Sequence, residues 1–228
     1  MKRYASLMIA IAGLLFLAAS ASAETSYRLE LYGSGNFPLD KHFEYGPPQA
    51  QGRVPGDYQF SAGARGGVRV GVDGMGHWGQ DVSYSYGQNE AKIIVAPAEF
   101  AFTPRSHQFA YNAIFYPAGL RGKKLHAYVT VGAGGTIFTL SQADINKSRE
   151  EGIPMETHTS FTFNAGGGFW YHVGKVGFRL DVRDWMSHPP RFGIPASSDV
   201  PEFILPVHGV FHQLEASAAI VFCFGAPK

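Results

Sequence analysis

Gly177-Phe178-Arg179-Leu180-Asp181-Val182-Arg183-Asp184 is the stretch on which the fold turns. Phe178, Leu180 and Val182 alternate with Arg179, Asp181 and Arg183, and in an extended chain successive side chains point to opposite faces. One face is therefore apolar and the other fully charged. A helical turn would scatter both sets around its circumference, so period two identifies a strand. Each face then needs its own surroundings, because charges withdrawn from water must be paired.

The same alternation recurs on both sides of this strand, between stretches rich in Gly, Pro, Asn and Asp, and no long segment carries apolar residues at helical spacing. Upstream, Tyr27, Leu29 and Leu31 oppose Arg28, Glu30 and Tyr32. Ala64, Val68, Val70 and Val72 oppose Arg65, Gly67, Arg69, Gly71 and Asp73. Val82, Tyr84 and Tyr86 alternate with Asp81, Ser83 and Ser85, and His107 to Tyr116 sets Phe109, Tyr111, Ala113 and Phe115 against Gln108, Ala110 and Asn112. Ala127, Val129, Val131 and Ala133 oppose Tyr128, Thr130, Gly132 and Gly134. Phe161, Phe163, Ala165 and Phe169 oppose Thr162, Asn164, Gly166, Gly168 and Trp170. Downstream, His212 to Phe224 sets Leu214, Ala216, Ala218, Ile220, Phe222 and Phe224 against Gln213, Glu215, Ser217, Ala219 and Val221.

These are eight strands, and the connections between them alternate in length: Gly33–Gln59 long, Gly74–Gly79 short, Gly87–Ser106 long, Pro117–Lys124 short, Ile137–His158 long, Gly174–Lys175 short and Asp184–Val207 long. An even number of antiparallel strands closes without edges. Tight turns on one side and large loops on the other are the asymmetry of an outer-membrane barrel, with both termini on the short-turn, periplasmic side. The expected fold is all-β: an eight-stranded antiparallel up-and-down transmembrane barrel. Lys92 to Val95 could prolong the third strand, although Pro97 and Pro104 interrupt that connection.

The ends and the composition agree with export. Lys2 and Arg3 precede an apolar run from Met8 to Ala19 and a small-residue site at Ala21-Ser22-Ala23, the order of a cleaved secretory signal. Residues 1–23 are expected to be removed during export through the Sec pathway, leaving 24–228 as one barrel domain. The run is shorter than the roughly 20 residues of a membrane helix, and without a cysteine at the cleavage site no lipid anchor is expected. Cys223 is the single cysteine, so no internal disulfide staples the fold. The formal charge is +1 and falls close to neutral once Lys2 and Arg3 are gone, which disfavours nucleic acid as a partner.

Alternation alone does not say which face is outside, since a soluble lipocalin-like carrier shows the same period. The polar face supplies the argument. It carries Arg28, Glu30, Arg65, Arg69, Asp73, Asp81, Arg179, Asp181, Arg183 and Glu215, with glycines between them at positions such as Gly67, Gly71, Gly132 and Gly166. Matched charges interleaved with small residues suit a crowded interior, and an eight-stranded barrel is only wide enough for side chains to fill. The expected lumen is plugged by a charge network. Tyr27, Tyr84, Tyr86, Tyr111, Phe115, Phe222 and Phe224 fall on the apolar face near strand ends, where interfacial girdles form.

The chain resembles the small outer-membrane β-barrel superfamily that includes the transmembrane domain of OmpA, and most closely single-domain acidobacterial outer-membrane barrel proteins. The resemblance covers nearly the whole mature chain. It rests on His107-Gln108-Phe109-Ala110-Tyr111-Asn112, Tyr128 to Gly135, Phe163 to Gly168, Gly177 to Asp184 and the closing strand His212 to Phe224. It implies insertion by the outer-membrane assembly machinery and, for most members, no known catalytic activity. Outer-membrane lipid and lipopolysaccharide are the expected partners. Two departures bear on it. Gly225 to Lys228 follow Phe224, so the terminal aromatic insertion signal lies inside the end. No peptidoglycan-binding domain is expected after the barrel, so a wall-tethering role does not transfer.

Other motifs have ordinary structural readings. Gly132 to Gly135 and Gly166 to Gly168 lack the following helix and the Lys-Ser/Thr of a phosphate loop. His208 and His212 share a face but are too far apart to share a metal easily, with no Cys or Asp to complete a set. His158, Ser160 and His172 have one parity, but His158 reads as a loop edge and the adjacent His, Ser and Asn of a lipid-A deacylase are missing. No catalytic, cofactor or metal site is expected. Loop aromatics Phe37, Phe43, Tyr45 and Phe192 either form a binding surface or pack the loops together. The reading is an outer-membrane barrel with a structural or surface-interaction role, displaying four outer loops. The alternatives are a narrow porin-like channel for ions or small solutes and a lipocalin-like periplasmic carrier.

Overall fold

The computed structural model describes residues 26–39, 42–44, 56–74, 76–95, 98–119, 123–153, 155–195, 205, 207 and 209–225. The signal segment 1–23, Tyr45 and His208 lie outside these residues. Eight long strands close into a barrel: β1 (Ser26–Pro38), β4 (Gly63–Asp73), β5 (Trp78–Gln88), β8 (Arg105–Phe115), β9 (Leu125–Thr139), β10 (His158–Val173), β11 (Val176–Ser187) and β12 (Phe211–Phe224). All neighbours are antiparallel. Closure comes from β1, which pairs with β4 through Leu29↔Val70 and with β12 through Leu29↔Phe222, leaving no open edge in this sheet.

The strands run further toward the outer loops than the alternation indicated. The first was read only as far as Tyr32, yet it continues through Gly33-Ser34-Gly35-Asn36 to Pro38, because glycines hide the period without ending the hydrogen-bond ladder. Similarly, β9 continues past Gly134 and Gly135 to Thr139, where Phe138 resumes the inward parity.

The barrel turns its apolar face outward. Phe178 is 62 % exposed and Leu180 61 %, while Arg179 between them is 1 % exposed. Leu31, Val70, Phe109, Val131, Phe163 and Ile220 share this outer wall. A carrier of the lipocalin type needs the reverse arrangement. The girdle is part right: Tyr27, Tyr86 and Phe224 face outward near strand ends, but Tyr111 pairs with Val82 well inside the wall. Among the described residues no helix is long and apolar enough to cross a membrane.

A second, smaller sheet sits at the long-loop end: β2 (His42–Glu44), β3 (Gly56–Phe60), β6 (Ala91–Val95) and β7 (Ala98–Phe102), in the order β2-β3-β6-β7. Lys92 to Val95 thus forms a strand of its own in a different sheet rather than prolonging β5. Tyr58, Phe60, Ile93, Phe100 and Phe102 bury one face of it against Phe192, Ile194, Leu205 and Val207. Phe138 and Phe211, at the outer ends of β9 and β12, belong to the same core, so the small sheet is seated on the barrel mouth as a cap. One short helix, α1 (Gln142–Glu150), follows β9. Its composition is polar, and Ser141 caps it by accepting from the Asp144 amide at 3.1 Å.

Candidate functional site

The site is the barrel interior. The structure places all ten charged residues of the polar face on the inner wall, none more than 4 % exposed. Strand parity puts them there: Arg28 and Glu30 on β1, Arg65, Arg69 and Asp73 on β4, Asp81 on β5, Arg179, Asp181 and Arg183 on β11, and Glu215 on β12. Five guanidinium groups meet five carboxylates.

At the short-turn end, Arg28 donates to Tyr116 Oη at 2.7 Å and lies 2.9 Å from Asp73, and the Tyr116 hydroxyl donates to Asp73 at 3.1 Å. Arg28 also lies over the Trp170 ring, 5.3 Å from its centroid. Ile114, Tyr116, Tyr128, Trp170, Val221 and Cys223 pack beneath as a largely aromatic floor. In the middle, Asp181 gathers three arginines. Arg69 donates to it at 2.8 Å and Arg183 at 3.0 Å, while Arg179 Nε stands 3.2 Å away. Arg179 in turn donates to Tyr128 Oη at 2.6 Å and to Glu30 at 2.8 Å. Asp81 accepts from Asn112 at 2.6 Å. Nearer the mouth, Arg65 donates to Gln108 at 2.8 Å and to Gln213 at 3.1 Å, and Gln108 continues to Thr136 at 3.3 Å.

The planar guanidinium explains why the cations are arginine. Its donors lie in one rigid fork, so Arg179 serves Tyr128 and Glu30 at once, which an ammonium on a flexible stem does not reproduce. The glycines explain how such groups fit. A Cβ at Gly71 would lie 2.6 Å from Arg28 Nη2, and one at Gly132 would lie 2.6 Å from Asn164 Nδ2.

Several interior partners are not singled out by the sequence as members of the network. Tyr116, Tyr128, Gln108 and Asn112 complete the network. Their signal was present as parity, since Gln108, Asn112 and Tyr128 share the inward register of their strands and Tyr116 continues it one residue past β8. What singles them out is a bond partner on another strand, up to 88 positions away for Tyr116 and Arg28.

The histidines need two corrections. His158 is the first residue of β10 rather than a loop edge, and its Nε2 lies 2.8 Å from Ser160 Oγ. Ser160 is buried and donates to the His188 carbonyl at 3.4 Å, while Phe192 packs against the half-buried imidazole. His172 is at the far end of the same strand, stacked on His126. An aspartate does stand beside His212: Asp184, reached across β11 and β12 at 2.7 Å. No group of three metal-ligating residues occurs among the described residues.

The fold is a closed eight-stranded antiparallel barrel, and its likeness to known proteins is one of fold. Among solved structures, the outer membrane protein OprG from Pseudomonas aeruginosa superposes with a TM-score of 0.59 at 12 % identity, covering 87 % of this chain and 95 % of that one. Ail, the attachment invasion locus protein of Yersinia pestis, solved with the heparin analogue sucrose octasulfate, gives 0.44 at 9 % identity over 88 % and 99 % of the two chains. Neither a family model nor a curated protein sequence matches the chain. What is shared with OprG is the fold.

Proposed function

We propose that this protein is an integral bacterial outer-membrane barrel with a structural or surface-interaction role, its lumen plugged by the charged residues and its outer loops gathered into a cap. The observation that carries this reading is the pairing of an apolar outer wall with ten buried charges inside, of both signs and within ion-pair distance of one another. A wall of Leu, Val and Phe has lipid as its natural surroundings. A passage for ions would require the guanidinium–carboxylate pairs spanning the bore to separate, leaving buried charges without partners.

In this reading the mature chain begins after residue 23, reaches the outer membrane through the Sec pathway and the assembly machinery, and contacts lipid and lipopolysaccharide through its wall and rim. Its role is not enzymatic. The neighbouring fold belongs to an outer-membrane protein, and Ser160 of the His158–Ser160 pair is buried.

The test is conductance of the purified protein in planar lipid bilayers. The expected result is no stepwise current above the lipid baseline, with Asp181→Ala or Arg69→Ala introducing unstable openings. Steady single-channel conductance from the unaltered protein would overturn the plugged lumen in favour of a narrow porin-like channel.

A further inference from the structure

The three short connections, Gly74–Gly79, Pro117–Lys124 and Gly174–Lys175, contain Arg121, Lys123, Lys124 and Lys175 but no aspartate or glutamate. Each of the four long connections carries both signs, as with Glu90, Lys92 and Glu99 in one of them. An unbroken basic set is therefore confined to one end of the barrel. Asp73, at the end of β4, is turned into the lumen 2.9 Å from Arg28, and Glu24, ahead of β1, lies outside the described residues.

Lys123, Lys124 and Lys175 are exposed, and the backbone at each is pinned to a neighbouring strand. The Lys124 carbonyl accepts from the His172 amide at 2.9 Å, His172 Nε2 lies 3.0 Å from the Lys123 carbonyl, and the Lys175 carbonyl accepts from the Cys223 amide at 2.8 Å. The Lys123 ammonium donates to the Ala118 carbonyl at 3.1 Å. An ammonium carries three donors, so that bond does not exhaust it. The residues beside these lysines are apolar and face outward: Leu125, Val173 and Val176 are 56, 61 and 42 % exposed. Tyr171↔Leu125 and Val173↔Val176 join them into one band from β9 to β11. Lys124 directly precedes Leu125 and Lys175 directly precedes Val176, so the cations begin about one strand residue, roughly 3.4 Å, beyond the apolar wall.

A row of cations bordering exposed apolar surface matches a molecule with an anionic head and an apolar tail. A soluble polyanion would engage the amines alone. Connections of this length also project little beyond the wall, which keeps the amines at the level of lipid headgroups, where lysine next to an anionic surface is favourable. We propose that the rim formed by Lys123, Lys124 and Lys175 with Leu125, Val173 and Val176 binds anionic phospholipid of the leaflet on the short-turn side. The inference rests on the membrane-barrel reading above and adds to it a lipid charge and a leaflet.

Native mass spectrometry of the detergent-purified full-length protein, titrated with phosphatidylglycerol or with phosphatidylcholine of the same acyl chains, tests the rim. Phosphatidylglycerol adducts are expected at least about fivefold above those of phosphatidylcholine. The ratio is expected to fall to parity in K123Q/K124Q/K175Q and to stay unchanged in the cap variant K92Q. A heat-dependent gel shift checks that the triple variant is folded. Should it not be, the single variant K175Q is expected to lower the ratio in the same direction, and no change there would overturn the proposal. Parity of the two lipids in unaltered, heat-modifiable protein would overturn the anionic rim and leave the membrane reading standing. A preference that survives the three substitutions would overturn its assignment to these lysines. Retention on isolated anionic cell-wall polymer, with the two lipids at parity, would give the rim a different partner and overturn the proposal as well. A chain that stays soluble without detergent would overturn the membrane reading itself.

Discussion

Asp181 is the residue on which the interior depends most. Arg69, Arg179 and Arg183 all stand within 3.2 Å of its carboxylate, so removing it takes a shared partner from three buried cations at once. Breaking a buried pair by deleting one partner costs about 3 to 5 kcal/mol. Asp181→Ala is expected to lose at least that much in urea unfolding from lipid vesicles, and a loss below about 1 kcal/mol would show that the network is not under mutual constraint. Arg179→Lys keeps the charge but not the fork that reaches both Tyr128 and Glu30, so it too is expected to lower the urea midpoint. Lys92 provides the contrast. It bonds Glu99 at 2.9 Å on the exposed cap, and that hydrogen bond raises its pKa above the usual lysine value. The pair's contribution is therefore present below the ordinary lysine range and fades only as pH rises past the raised pKa. Solvent screens it, and Lys92→Gln is expected to leave the unfolding midpoint unchanged.

At the scale of elements, the sequence made the barrel strands and the inward face legible because both follow from period two. Arg179-Leu180-Asp181-Val182-Arg183 states the orientation of β11 by itself, and the ten interior charges follow from the same parity. The cap was not legible. Its strands β3, β6 and β7 are five residues each, they come from two different loops, and they pair through Tyr58↔Ile93 and Ile93↔Phe100. Neither register is visible without the partner strand. Of the two readings left open for Phe192, packing is what the structure favours, since the ring is fully buried against Phe102 and Phe138 even though its backbone takes a φ of 52°. Phe192→Ala is expected to weaken the cap by about 3 to 5 kcal/mol. Limited proteolysis would then cut the outer loops while sparing the barrel strands, and simultaneous loss of both would contradict a separately packed cap.

Glycines in the wall divide by the same local logic. A Cβ at Gly134 would strike the Phe109 carbonyl oxygen and lie 2.7 Å from Ala110 Cα on β8, whereas one at Gly33 meets nothing within 4 Å. Gly134→Ala is expected to block closure between β8 and β9, and Gly33→Ala to be tolerated. The fraction folded after refolding into detergent distinguishes them, and equal yields would refute the close approach.

For the molecule as a whole, an apolar outer wall surrounds a charged interior, with a small sheet seated over one end. The fold shared with OprG at 12 % identity agrees with the eight-stranded barrel that parity and loop asymmetry indicate. The most direct measurement is fractionation of cells expressing the full chain, with the outer membrane extracted in detergent and run on a gel before and after boiling. The account predicts a band confined to the outer membrane whose mobility changes on heating, because a barrel with paired edges and a bonded interior resists unfolding until heated. A soluble periplasmic protein with a single, heat-insensitive mobility would contradict it.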